Sequence, residues 1–221
     1  MHPRGTRKWI TPHASIIPAQ SSGRPSMSAP PSPPPIFLDR DGTIIEEVRY
    51  LSSLDMMRLI PGSAAAIHAA KKAGHAVVVI SNQSAVARGI ISDEFARQSG
   101  DHLKRMLTAQ GAPIDGYYYC PDHPEGKPPY DKDSAERKPR PGMMLRAARD
   151  LGIELNGAYM IGDKLSDTET GAELGVRPIL VRTGYGREEE SRLGPAFFQR
   201  GGAAVDDLAA AVALILSRSQ D

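Results

Sequence analysis

Two aspartates, Asp39 and Asp41, stand two residues apart in "IFLDRDGT". On an extended segment that spacing turns both carboxylates to one side, so they can open into one crevice while Arg40 faces away. Further on, "VVVISNQS" ends an apolar run in Ser81 and Asn82, which offer hydrogen-bond donors. "YMIGDKLSD" ends another in Asp163, with Asp167 one helical turn beyond. Three polar clusters closing three apolar runs suit phosphoryl transfer. Carboxylates can attack phosphorus and move protons, and donors can hold its oxygens. Carboxylates gathered at one point repel each other unless a cation sits among them. Oxygen ligands with room for water and phosphate favour Mg²⁺ over zinc. Such a hard cation also keeps Asp39 ionised, as a nucleophile must be. Each cluster alone is ordinary: Asp-x-Asp-Gly is a common turn, and Gly-Asp or Ser-Asn after a strand is a common loop. Their joint occurrence, in order, carries the reading.

The elements that must position these clusters alternate along the chain. "IFLD", "HAVVVIS", "DGYYYC", "AYMIGD" and "RPILVRTG" read as strands, the second buried on both faces. "PGSAAAIHAAKKAG" reads as a helix with Ser63 as its cap and Gly74 as its end. "SDEFARQSGDHLKRMLTAQG" reads as one capped by Ser92 and stopped at Gly111. "PGMMLRAARDLG" places Pro141 near the first turn of a third helix. "SDTETGAELG" and "DDLAAAVALILS" complete the set, with "RPILVRTG" the last strand. This order predicts an α/β fold, a doubly wound and mostly parallel sheet of Rossmann type with helices on both faces. Active sites in such sheets lie at the carboxyl ends of the strands.

The chain has 221 residues, 40% of them apolar, enough for one domain with a full core. Its net charge of +1 gives no sign of a nucleic-acid binder. The basic residues Arg4, Arg7, Lys8 and Arg24, with no acid before Asp39, leave the rest mildly acidic. Cys120 is the only cysteine, so no intrachain disulfide is available, in keeping with a reducing compartment. No apolar run reaches the roughly 18 residues of a membrane span, and the start lacks the apolar region of a secretory signal. Residues 1–35 hold nine of the 19 prolines and are expected to be a disordered tail, with 36–221 the catalytic domain. The tail is open to reading as a transit peptide, a species-specific tail, or the product of a mis-assigned start codon, with Met27 as the true start.

"DRDGT", "SNQS", "RKPRPG" and "GDKLSD", in this order and spacing, resemble the haloacid dehalogenase-like phosphatases. Within them the chain is similar to the branch of heptose 1,7-bisphosphate 7-phosphatases and histidinol-phosphate phosphatases. The resemblance covers residues 36 to about 185. It implies that Asp39 attacks phosphorus to give an aspartyl-phosphate. It implies that Asp41 protonates the leaving oxygen and then activates water. Mg²⁺ is then held by Asp39, the Asp41 main-chain carbonyl and Asp163. Ser81 and Asn82 bind phosphoryl oxygens, Lys138 supplies a compact cation, and Arg137 and Lys164 contact substrate. Asp167 orients Lys138 or the metal's water shell.

Many members of this superfamily enclose the site with a cap domain. Here "IIEEVRYLSSLDMMRLI" has room for a hairpin flap only, and the stretch from Asn82 to Lys138 has room for no second domain. A capless enzyme is expected, with specificity from Glu47 to Tyr50 and from the 120–137 loop. The resembled branch carries a structural zinc on Cys-x-His and Cys-x-Cys before its Arg-Lys-Pro. In "YYYCPDHPEGKPPYDKDSAERKP" only Cys120 matches. The other positions fall on Asp122, with His123 one place later, and on Ser134 and Glu136. Two lost thiolates remove tight, tetrahedral zinc binding, so no structural zinc is expected. The implied enzyme is an Mg²⁺-dependent, cytoplasmic, monomeric phosphatase of a phosphorylated sugar, with heptose 1,7-bisphosphate first. Histidinol phosphate or a broad range of sugar phosphates comes next. A catalytically silent binding module on this fold, or a proline-rich docking tail, are the non-enzyme alternatives. The silent module would call for damage at Asp39, Asp41, Lys138 or Asp163, all of which are intact.

Overall fold

The computed structural model of the chain describes residues 32–218. The tail, expected to be disordered, lies outside the described residues up to Pro31. Its last positions already belong to the fold. The Pro35 carbonyl accepts from Tyr159 N–H at 2.9 Å, and the Pro34 carbonyl lies 2.7 Å from His75 Nδ1.

Six strands form one sheet: β1 (Ile36–Leu38), β2 (Val77–Asn82), β3 (Gly116–Cys120), β4 (Tyr159–Gly162), β5 (Arg177–Val181) and β6 (Ala203–Val205). Every pair is parallel, in the order β3-β2-β1-β4-β5-β6. The helices are α1 (Ser63–Lys72), α2 (Ser84–Ala87), α3 (Asp93–Ala109), α4 (Gly142–Leu151), α5 (Leu165–Glu169), α6 (Gly186–Glu189), α7 (Pro195–Gln199) and α8 (Leu208–Arg218). None of the described helices is long and apolar enough to cross a membrane.

Strand alternation divides the core. Ile36, Leu38, Val77, Val79 and Ile161 face one layer with α1, α3 and α8. Phe37, Val78, Ile80 and Met160 face the other, against Met143, Met144 and Ala147 of α4. The fold is therefore doubly wound, as the sequence predicts. The chain steps from β1 outward to β2 and β3, then returns to β4 on the opposite side of β1. Strand order thus reverses between β1 and β4, and the crevice beyond their carboxyl ends is where ligands bind in open α/β sheets. Register fixes what meets there. Leu38 pairs with Ile161, and Asp39 N–H donates to the Ile161 carbonyl at 2.9 Å. Asp39 on one strand end and Asp163 on the next are therefore neighbours.

Several expectations are corrected. Ser63 does not cap α1. Gly62, left-handed at φ 88°, occupies the cap, and Ser63 is the first helical residue with its hydroxyl buried and unpartnered. "SDTETGAELG" is not one helix: Thr170 is extended and Gly171 left-handed, which ends α5 and leaves a single 3₁₀ turn at Ala172–Leu174. "RPILVRTG" is not the last strand, because Ala203–Val205 pairs with β5 as an edge. Three small, half-buried residues give no periodic signal of their own. The flap, by contrast, is the expected hairpin in minimal form, with Glu46 N–H on the Arg58 carbonyl at 2.9 Å and Ile60 N–H on the Ile44 carbonyl at 3.0 Å. It closes through one antiparallel bridge, Ile45 with Leu59. The Ser92 hydroxyl does cap α3, accepting from Phe95 N–H at 3.0 Å. Ser92→Ala is expected to destabilise the protein by about 1 kcal/mol in denaturant unfolding. A change within a few tenths would show that the cap does not hold the helix.

Candidate active site

Asp39 follows β1 and is 5% exposed. Lys138 reaches it from the loop before α4 and is equally buried. The Lys138 ammonium donates to Asp39 Oδ1 at 2.6 Å and to the Ile80 carbonyl at 3.0 Å, and pairs with Asp167 Oδ1 at 2.7 Å. Three acceptors match its three protons, which is how a buried ammonium stays charged. Burial opposes that charge, but Asp167 and Asp39 outweigh it and hold the Lys138 pKa above its ordinary value. Asp167 is fixed in turn, its Oδ2 accepting from Lys164 N–H at 3.0 Å at the start of α5.

Asp163 follows β4 and is fully buried. Its Oδ2 accepts from Tyr185 N–H at 2.9 Å. Its Oδ1 is buried with no partner among the described residues. Gly42 makes this fit possible. At φ 78° its backbone passes so close that a Cβ there would stand 2.2 Å from Asp163 Oδ2. Asp39, Asp163 and Asp167 each bring an oxygen within 4.8 Å of the other two. Three carboxylates against one buried lysine leave excess negative charge and an orphaned anionic oxygen. That oxygen-only set fits a hard divalent cation. The cluster contains two of the implied ligands, Asp39 and Asp163, with Asp167 beside them and paired to Lys138. The Asp41 carboxylate is engaged elsewhere, leaving its main-chain carbonyl for a metal.

Arg40 does not face away from Asp41. It is buried and grips the Asp41 carboxylate, with Nε 3.0 Å from Oδ2 and Nη2 3.0 Å from Oδ1. Ser81 Oγ is buried and accepts from Gln83 Nε2 at 2.8 Å. Asn82 is turned to the Lys138 backbone. Its Oδ1 accepts from Lys138 N–H at 3.0 Å and its Nδ2 donates to the Lys138 carbonyl at 3.1 Å. Its amide therefore holds the lysine loop in place, a role that its place after a strand does not disclose. Lys164 Nζ lies 3.3 Å from Glu47 Oε2 and 4.6 Å from the Tyr185 ring centre. A cleft opens here, bordered by Asp41, Asn82, Lys164 and the flap residues Glu47, Arg49 and Tyr50. Arg137 does not border it. Its guanidinium donates to the Asp122 carbonyl at 3.2 Å inside the 120–137 loop.

That loop begins at fully buried Cys120. Burial pushes its thiol pKa up, and the neighbouring Asp122 backbone and Ser134 hydroxyl only partly oppose this. Glu136 pairs with Arg146 at 3.2 Å. His123 Nδ1 accepts from Glu125 N–H at 3.1 Å. His123, Ser134 and Glu136 thus each have a side-chain partner, Ser134 Oγ accepting from Glu136 N–H at 3.2 Å.

Burial raises the Asp39 pKa to about 6, with Lys138 partly offsetting it. Burial, then the charge of Asp39, raises Asp163 to about 8. Both exceed the ordinary carboxylate value, so without metal the folded state holds these protons more tightly than the unfolded chain. Their contribution to stability is complete below about pH 4 and is lost as pH rises through 6 and 8. A divalent cation binds the deprotonated pair. The rise in Tm given by millimolar Mg²⁺ should therefore grow between about pH 5 and pH 8.5. An increment that stays flat or shrinks would contradict this arrangement of charge.

Comparison with known proteins agrees with this geometry. Residues 135–211 match the family model described as HAD-hydrolase-like. The chain is 43% identical over 154 residues to the D-glycero-β-D-manno-heptose-1,7-bisphosphate 7-phosphatase of Photorhabdus laumondii, covering 68% of this chain and 81% of that protein. It is 40% identical over 148 residues to the D-glycero-α-D-manno-heptose-1,7-bisphosphate 7-phosphatase of Burkholderia mallei, covering 66% and 78%. Among solved structures it is similar to the D,D-heptose 1,7-bisphosphate phosphatase from B. bronchiseptica complexed with magnesium and phosphate. There the TM-score is 0.74 at 33% identity, over 84% of this chain and 99% of that one. The chain belongs to the haloacid dehalogenase-like phosphatases, in the family of the heptose-1,7-bisphosphate 7-phosphatases.

Proposed function

We propose that this chain hydrolyses the 7-phosphate of D-glycero-D-manno-heptose 1,7-bisphosphate through an aspartyl-phosphate on Asp39. One observation carries the reading. The buried Asp39 carboxylate is held by Lys138 beside the unpartnered Asp163 oxygen, at the crevice where strand order reverses. The family relatives above supply the substrate. Both anomers occur among their names, so the anomer is open to the same assay.

An Asp39 oxygen forms a bond to phosphorus as the bond from phosphorus to the sugar oxygen breaks. Asp41 delivers a proton to that departing oxygen. Asp41 then takes a proton from the water that attacks phosphorus, which releases phosphate and restores Asp39. Lys138 fixes one Asp39 oxygen and offsets its charge throughout. Ser81 faces the phosphoryl oxygens as donor. Asp39, Asp163 and the Asp41 carbonyl would hold Mg²⁺, which would offset the negative charge on the transferring phosphoryl group. Lys164 and the flap residues Glu47 to Tyr50 meet the sugar and its second phosphate. No described residues form a cap over the cleft, so these loops select the substrate.

Phosphate release with Mg²⁺ should be fastest on heptose 1,7-bisphosphate in a panel that includes histidinol phosphate and hexose phosphates. Asp39→Asn should lower kcat by at least about 10⁴ while circular dichroism stays unchanged. Faster turnover of histidinol phosphate would reassign the substrate. A retained rate in Asp39→Asn would move the nucleophile elsewhere.

A further inference from the structure

We infer that Arg40 and Gln83 are positioning residues that hold Asp41 for proton transfer, with Ser99 and Tyr117 holding Arg40 in turn. The inference rests on the reading of Asp41 as the acid and base of the reaction.

Arg40 is 1% exposed, and all five of its N–H groups have acceptors. Nε and Nη2 take the two Asp41 oxygens as a fork. The second Nη2 proton goes to Gln83 Oε1 at 3.0 Å. Nη1 donates to Ser99 Oγ at 2.8 Å and to Tyr117 Oη at 3.1 Å. Gln83 completes the circuit, its Nε2 donating to Asp41 Oδ2 at 3.0 Å and to Ser81 Oγ at 2.8 Å. The Gln83 amide cannot turn over without losing both ends. Tyr117 reaches Arg40 because α3 carries Gly100 beneath its ring, where a Cβ would stand 2.3 Å from Tyr117 Cε1.

The donors fall unequally on the two Asp41 oxygens. Oδ2 receives two donors, Arg40 Nε and Gln83 Nε2, each at 3.0 Å. Oδ1 receives Arg40 Nη2 only. Two donors occupy both lone pairs of Oδ2, whereas Oδ1, with one donor, keeps a lone pair for a proton. The clamp therefore assigns proton transfer to Oδ1. Asp41 borders the cleft, and its side chain is 19% exposed, so a leaving group or a water can reach the carboxylate. The same Gln83 amide ties Ser81 to this arrangement, so a phosphate donor and the proton carrier are set by one network.

Leaving-group dependence separates such a role from a merely structural one. A sugar oxygen needs a proton as it departs, whereas p-nitrophenolate departs as the anion. In the full chain with Mg²⁺, Arg40→Lys keeps the charge and loses the fork. Its kcat/KM on heptose 1,7-bisphosphate should fall on the order of 30-fold or more, and on p-nitrophenyl phosphate at least tenfold less. Gln83→Leu should shift the ratio in the same direction, and it decides the matter if Arg40→Lys does not fold. Equal falls on both substrates, or no fall on either, would overturn the clamp. Asp41→Asn distinguishes the two failures. If it shows the selective loss and the clamp variants do not, the clamp is wrong and the acid role stands. If it shows no selective loss, the acid role itself is wrong.

Discussion

Three carboxylates share one buried space at the end of β1 and β4, with a single buried ammonium among them. Asp39, Asp163 and Asp167 are each almost fully shielded from water, and Lys138 neutralises one charge of the three. Burial of unbalanced charge is costly, and here it appears as raised proton affinities on Asp39 and Asp163. A divalent cation relieves the same imbalance without protonating the nucleophile. The surrounding fold keeps this charge together: parallel register aligns the two strand ends, the Asn82 amide pins the lysine loop, and Gly42 leaves room for Asp163.

Around this core the protein separates fixed chemistry from adaptable recognition. Asp39, Lys138, Asp163 and Asp167 are held by strand ends and helix starts. Glu47, Arg49 and Tyr50 stand on a flap tied by one antiparallel bridge. Arg49 is the only non-glycine residue with positive φ among the described residues, at 58°, with its N–H held by Glu47 Oε1 at 2.6 Å. Strain at such a position persists where neighbours determine it, and here the neighbours belong to the cleft. No residue of the 120–137 loop borders that cleft. The loop is organised by Cys120, Ser134, Glu136 and Arg146.

The chemistry of the site was legible because it stands at strand ends, where apolar periodicity stops and a polar residue follows. That signal placed Asp39, Ser81 and Asp163, and the motif resemblance added Lys138 and the family. What was not legible depends on partners distant in sequence. Arg40 pairs with Gln83, Ser99 and Tyr117, which lie 43, 59 and 77 positions away. Alternation alone sends Arg40 away from its neighbours, and only the fold shows that it returns to Asp41. Asn82 reads as a phosphate donor until its amide is seen to close on Lys138. Arg137 reads as a substrate ligand, and the sequence does not disclose that its guanidinium meets the Asp122 carbonyl within its loop. The edge strand β6 has too few and too small residues to announce itself, since its pairing depends on β5 already being there.

Titration calorimetry of Mg²⁺ against the purified chain and its Asp163→Asn variant tests the charge imbalance most directly. The account requires about one Mg²⁺ per native chain, and a loss of at least roughly tenfold in affinity when the unpartnered carboxylate becomes an amide. A native chain that binds no Mg²⁺, or an Asp163→Asn variant that binds it as tightly, would contradict the account.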